Sequence, residues 1–204
     1  AYNILNDEFE LPSVKIHLHK LIPIGAGLGG GSADGSFTLI MLNDLFDLKL
    51  NESDLEKRAE QLGSDCPFFI QNKPCLVTGR GERMEQIELD LSSFSIALIN
   101  PGIHIGTAEA YRNVKPSNPK FPLSGLTHKT IAKWKNTVKN VFEDSLFPSY
   151  PQLERVKTYL YNKGALYASM TGSGSTVYGI FENDSVEIAL PDGMTVHWNV
   201  SNNV

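Results

Sequence analysis

Two hydrophobic periods alternate along the chain. Residues 14–18 read apolar, polar, apolar, polar, apolar (Val-Lys-Ile-His-Leu), the period-two pattern of a half-buried strand. Over 32–47 the apolar residues Phe37, Leu39, Ile40, Leu42, Leu45 and Phe46 run on too long for a strand and predict a helix. A second helix follows from Leu55, Ala59 and Leu62, with Asn51 or Ser53 as its cap, acidic residues in its first turn and Gly63 at its end. Short apolar runs at 67–70 and 74–78 predict two strands, and Gly79-Arg80-Gly81-Glu82 predicts a turn after the second.

Further on, 95–99 predicts a strand stopped by Pro101-Gly102, and 115–122, rich in proline, lysine and asparagine, predicts an exposed connector. Helical patterning follows at 127–141 and at 152–163, where Leu153, Val156, Tyr159 and Leu160 share a face and Gly164 closes the run. Strands are expected at 166–171, 176–181 and 195–200, the first two separated by a glycine turn. Helices and strands are mixed without a regular βαβ period, which favours α+β over a doubly wound sheet. Residues 1–6 read as the end of a helix, which predicts a chain that begins inside a longer protein; removal of an initiator methionine is the alternative.

Composition narrows the classes. With 204 residues, 41% hydrophobic and 20% charged, the chain has the make-up of a folded globular protein. A net charge of −5 supplies no general basic field for nucleic acid or an anionic membrane, so a polyanion has to be bound locally. No apolar run approaches the roughly 20 residues of a membrane span, and no signal peptide is evident. Two cysteines, Cys66 and Cys75, do not make a disulfide framework, which points to a reducing, cytoplasmic setting. The five histidines, His17, His19, His104, His128 and His197, lack metal-ligand spacing and read as structural or surface residues.

The densest signal is Pro23-Ile24-Gly25-Ala26-Gly27-Leu28-Gly29-Gly30-Gly31-Ser32-Ala33, five glycines in seven residues between a strand pattern and a helix pattern. Glycine in the wrong place costs about 1 kcal/mol against alanine. Clustering beside a helix start therefore argues that backbone must come close to something. Amides at a helix N-terminus and the positive end of its dipole make an anion site, and a triphosphate is its natural occupant. No Gly-Lys-Ser/Thr closes the loop, so it is not a Walker A motif, and it lacks the GxGxxG spacing of a dinucleotide fold.

The loop is similar to the PxxxGLGSSxA phosphate loop of the GHMP kinases. Three other segments agree: Gly63-Ser64-Asp65-Cys66-Pro67-Phe68-Phe69 resembles their GADVPFF element, Met170-Thr171-Gly172-Ser173-Gly174-Ser175 their MTGSGS motif, and Asn100-Pro101-Gly102 the strand end before their substrate threonine. The string IPIGAGLGGGSADG points, within that superfamily, to the branch acting on CDP-methylerythritol on the non-mevalonate route to isoprenoid precursors. The resemblance implies an α+β, two-domain GHMP fold: an N-terminal part like domain 2 of ribosomal protein S5 at 1–92 and a ferredoxin-like part at 93–204, with a substrate cleft between them. It implies ATP as co-substrate, Mg²⁺, no nucleic-acid or membrane partner, and a monomer or homodimer.

By the same resemblance Lys20 and residues 23–33 hold the nucleotide, and Asp65 is the catalytic carboxylate. Thr107, Tyr111, Thr171, Gly172, Ser173 and Gly174 meet the substrate, Tyr111 by stacking on the cytosine. Without the resemblance blander readings stand: an Asx turn or a helix-ending polar residue at Asp65, an edge-strand lysine at Lys20, a plain hairpin at 171–174 and a half-buried core tyrosine at Tyr111. The family's upstream lysine and cytosine-binding aromatic and histidine have no counterpart here, so this chain is expected to transfer phosphate poorly or not at all. Its Asn-Asp-Phe/Leu-Glu run reads Asn140-Val141-Phe142-Glu143, with valine for aspartate. The alternatives are a GHMP kinase acting on homoserine or mevalonate, a non-catalytic nucleotide-binding module and, last, a Rossmann oxidoreductase.

Overall fold

The computed structural model describes residues 1–79, 81, 83–112, 114–115, 121–182, 186–190 and 193–198. They fall into two compact units, Ala1–Ile24 with Gly29–Ile87, and Gly25–Leu28 with Glu88–Val204.

The first unit has helices α1 (Tyr2–Phe9), α2 (Gly30–Leu45), α3 (Glu52–Leu62) and α4 (Cys66–Gln71), then a hairpin of β1 (Cys75–Thr78) and β2 (Arg83–Gln86). Its core is Leu5, Leu39, Leu42, Leu55, Ala59 and Cys66, one face from each helix. α3 starts as its sequence predicts: the Asn51 side chain accepts from the Asp54 amide at 3.0 Å. It ends at Gly63, but with φ 166 and ψ 158, an extended backbone open to any residue. The helix read at 1–6 is α1, closed by Glu10 in the left-handed region.

Two strands expected here are absent. Residues 14–18 pair with no strand among the described residues, and Ile16 and Leu18 stand 53% and 58% exposed. Alternation marks a face that can be buried, but a strand needs a neighbour to satisfy its backbone. Residues 67–70 lie in α4, because Pro67 sits in the first turn, where its missing N–H is not needed. A run of four apolar residues has no period with which to tell helix from strand.

The second unit is built on an antiparallel sheet of β3 (Ser95–Asn100), β4 (Tyr167–Met170), β5 (Val177–Phe181) and β6 (Thr195–Trp198), in the order β4-β5-β3-β6. Ile96 faces Ile180 and Leu98 faces Tyr178 across β3 and β5. Between β3 and β4 come α5 (Thr107–Arg112), α6 (Phe142–Leu146) and α7 (Pro151–Asn162). α7 lays Leu153, Val156 and Leu160 on Ala97, Ile99, Ala168, Val177 and Phe181, and each such burial is worth roughly 1.5–3 kcal/mol.

Ile131 and Trp134 pack with Tyr167 and Ile180 in a separate cluster. The helix expected at 127–141 is instead two 3₁₀ turns, Leu123–His128 and Ile131–Asn136, parted by extended Lys129 and Thr130. Ile131 and Trp134 lie three apart, which suits three residues per turn. The expected connector at 115–122 and turn at 79–82 fall largely outside the described residues, as do the last two residues of the strand expected at 195–200. Among the described residues no helix is long and apolar enough to cross a membrane.

Candidate phosphate-binding site

The glycine loop divides into two halves, and its first half, Gly25–Leu28, groups with the second unit. Ala26, 4% exposed, accepts the Thr176 amide at 3.2 Å, and the Gly27 carbonyl accepts the Thr171 hydroxyl at 3.0 Å. Gly27 has φ +74, and a Cβ there would stand 2.4 Å from the Gly174 carbonyl oxygen. At Gly25, φ +77, a Cβ would meet the His104 imidazole at 2.6 Å. Both positions need glycine twice over, for the left-handed backbone and for the close approach.

Gly29, φ +66, is the N-cap of α2, and Gly30, Gly31 and Ser32 form the first turn. No side chain caps this end and no acid sits in the turn. The first backbone bond is Ala33 N–H to the Gly29 carbonyl at 2.9 Å, so among the described residues the preceding amides stay unpaired. The Lys20 ammonium lies 3.4 Å from where a Cβ on Gly30 would be, and pairs with Asp34 at 2.5 Å. A cation beside uncapped amides at the positive pole of a 16-residue helix makes a strong local anion field. Pro23 and Ile24 lead in from solvent, Ile24 at 82% exposed.

α4 is fixed beside this turn. The fully buried Ser36 hydroxyl donates to the Cys66 carbonyl at 2.7 Å, and the Phe69 ring lies against Gly29. Asp65 is the N-cap residue of α4, yet its carboxylate caps no amide; it is exposed, with the Ser64 hydroxyl at 3.5 Å. That carboxylate takes no backbone amide, contrary to the bland Asx-turn reading.

In the second unit Thr171–Gly174 turns sharply after β4, closed by Gly174 N–H to the Thr171 carbonyl at 3.0 Å. Thr107 opens α5 and is exposed. Tyr111 is 62% exposed, not half-buried, and meets the Phe142 ring edge-on at 4.9 Å, which leaves it a flat face for an aromatic ligand. α5 is tied to the start of α7 by the Tyr150 hydroxyl donating to Glu109 at 2.5 Å, a bond that raises the phenol pKa. The structure thus gathers Lys20 with Gly29–Ala33 and the α4 segment in one unit, and residues 25–28 with 171–174 in the other, where Thr107 and Tyr111 sit on α5.

Three residues of this surround were assigned no role from the sequence. His104 packs on Gly25, which only the fold shows. Asn140 donates to the Met170 and Gly172 carbonyls, both at 2.8 Å, and Glu143, 3% exposed, accepts from the Met170 amide, the Ser169 hydroxyl and the Lys157 ammonium. Both belong to the 140–143 run, the signal that could have found them. Val141 between them is the N-cap of α6, 40% exposed and uncapped, so aspartate there would add at most one cap bond of roughly 0.5–2 kcal/mol.

The models of the GHMP kinases N terminal domain and GHMP kinases C terminal match residues 1–73 and 125–192. A 4-diphosphocytidyl-2-C-methyl-D-erythritol kinase of Azobacteroides pseudotrichonymphae is 51% identical over 183 residues, 89% of this chain and 68% of that protein. One from Bacteroides fragilis is 46% identical over 89% of this chain and 66% of its own length. One from Cytophaga hutchinsonii is 44% identical over 99% of this chain and 72% of its own. A crystal structure of 4-(cytidine 5'-diphospho)-2C-methyl-D-erythritol kinase superposes with TM-score 0.69 at 30% identity, covering 79% of this chain and 59% of that one. A homoserine kinase from Cytophaga hutchinsonii, TM-score 0.54 at 20% identity over 88% of this chain and 67% of that one, shares the fold. The chain spans about two thirds of the length of these curated relatives.

Proposed function

The chain belongs to the GHMP kinases, on the branch of the 4-diphosphocytidyl-2-C-methyl-D-erythritol kinases, and we propose that it serves transfer of the γ-phosphoryl of ATP to the 2-hydroxyl of CDP-methylerythritol. The observation that carries this reading is the uncapped, acid-free start of α2 with the Lys20 ammonium beside Gly30. Residues 23–33 cradle the phosphates, and Lys20 adds charge where the transition state spreads it over phosphoryl oxygens. Asp65, with a carboxylate that takes no backbone amide, orients the acceptor hydroxyl and takes its proton. Thr171–Gly174 and Thr107 meet the acceptor, and Tyr111 offers its free face to the cytosine.

In this reading residues 1–92 carry the nucleotide and 93–204 the acceptor, and two free cysteines suit a reducing cytoplasm. Among the described residues no three His, Cys, Asp or Glu side chains converge on a point. In this reading Mg²⁺ arrives on the triphosphate and neutralises its charge.

Calorimetric titration with a non-hydrolysable ATP analogue and Mg²⁺ tests the first half of the proposal; no binding would end it. ADP release with CDP-methylerythritol tests the second, in this chain and in any longer polypeptide that contains it. Asp65→Asn is expected to leave nucleotide affinity within about twofold and lower turnover by roughly 10²–10⁴-fold. Unchanged turnover would remove Asp65 from the chemistry.

A further inference from the structure

The second unit contains a cavity lined by none of the residues assigned to nucleotide or acceptor. It lies between α7 and Ala189, Leu190 and Met194 and holds about 500 Å³. Sites that take small molecules run from roughly 300 to 1,000 Å³. Val156, Tyr159, Leu190 and Met194 give it a wall of carbon, and its polar groups come from Gln152 and Arg155.

The wall is fixed, not a gap beneath a loose segment. Along 186–190 burial alternates: Val186, Ile188 and Leu190 are half-buried and pack on the core that α7 covers, while Glu187 and Ala189 are exposed. One side chain ties this segment to the helix from both directions. The Tyr159 hydroxyl donates to the Ala189 carbonyl at 2.9 Å and accepts the Ala189 amide at 3.1 Å. The polar end of Tyr159 is thereby satisfied.

The other two polar groups are not. Among the described residues the Arg155 guanidinium, exposed at the rim, pairs with no carboxylate. The Gln152 Oε1 is shut off from solvent and has no donor, an unfavourable state for a carbonyl oxygen until a donor reaches it. The terminal torsion of glutamine is soft, so the amide can turn Oε1 toward the cavity at little cost. An enclosed water wants two to four polar partners, which four apolar side chains do not offer. A second copy of the chain docked here would have to bury the unpaired guanidinium, which is costly without a carboxylate opposite it.

We propose that this cavity binds a small apolar molecule bearing one anionic group and one N–H or O–H. Its hydrocarbon body lies against Val156, Leu190 and Met194, its anion meets Arg155 at the rim, and its donor meets Gln152. The planar guanidinium suits that anion because it offers two parallel N–H groups to a pair of oxygens.

The test uses two fluorescent probes of one shape. 8-Anilinonaphthalene-1-sulfonate has the apolar rings, the anion and the N–H; N-phenyl-1-naphthylamine lacks only the sulfonate. Titration of the native protein, well below its Tm, is expected to show one site per chain for each, with the sulfonate bound about tenfold more tightly. Arg155→Met keeps the apolar stem; it should erase that preference and leave the uncharged probe within about twofold. Met194→Trp fills the space and should abolish both. By ¹H–¹⁵N NMR the Ala189 amide is expected to move with either probe. Absence of a saturable site in the wild type overturns the proposal whether or not Met194→Trp folds, and so does a sulfonate preference that survives in Arg155→Met or an Ala189 amide that stays still. Exclusion of both probes by a wild type that sediments as a dimer would overturn it in favour of a second copy on this face.

Discussion

The two ends of the glycine loop use the same residue for opposite reasons. In Gly25–Leu28 the space a side chain would need is already taken, by the His104 ring at Gly25 and by the Gly174 carbonyl at Gly27. At Gly31, in the first turn of α2, a Cβ would meet nothing within 4 Å. Glycine is demanded by the fold at Gly25 and Gly27, and again at Gly29 with φ +66 and the Phe69 ring against it, whereas at Gly31 it leaves room. A glycine count finds the loop but cannot tell these apart; what surrounds each Cα does.

The sharpest way to break the comparison is Gly27→Ala. The left-handed backbone alone costs an L-residue about 1–2 kcal/mol, and the new Cβ would drive into backbone, at the Gly174 carbonyl, rather than into a side chain that can turn aside. The hold of Thr171 on the Gly27 carbonyl goes with it. Nucleotide affinity by calorimetry is expected to fall by about tenfold to a hundredfold, or about 1.4–2.8 kcal/mol, together with a lower Tm. Wild-type values for both would mean that the two ends do not differ.

Lys20→Met comes next and separates charge from shape. The Lys20–Asp34 pair is about a third exposed, with side chains at 25% and 34%, so its loss should move stability by less than about 1 kcal/mol. Triphosphate affinity should drop by roughly tenfold and depend less on salt, since one cation has left the helix start and Asp34 stays behind unpaired. Titrations at two ionic strengths read both effects. A salt dependence equal to that of the wild type would place Lys20 outside the phosphate field.

These contrasts show what patterning can reach. α2, α3 and α7 are written in their apolar spacing, and the Asn51 cap was legible because capping is local. The lack of a strand at 14–18 was not, since pairing depends on a neighbour and alternation is silent about it. Pro67 turned a four-residue apolar run into helix for the same want of period. At the site, the glycines and Asp65 stand within known motifs and Lys20 just ahead of one, whereas His104 reaches Gly25 across 79 positions of sequence, a contact that no local pattern announces. Asn140 and Glu143 act on carbonyls and amides 27–32 residues away. Their motif was visible; what it holds was not.

Gly31→Ala should be the smallest effect and opposite in sign. Gly31 lies inside α2 with no positive φ, so alanine fits the backbone it already has. No atom stands within 4 Å of the added methyl, so no packing is disturbed. The unfolded chain loses freedom and the helix gains a better former, worth roughly 0.5–1 kcal/mol. Denaturant titration should therefore show a modest gain in stability, where Gly27→Ala shows a loss. Nucleotide affinity is the finer readout: the amide of residue 31 is kept, so binding within about threefold of wild type is expected. A large loss of affinity in a stabilised protein would mean that the ligand itself occupies the space beside Gly31, and would move the closest phosphate contact from the amides to the Cα of that residue.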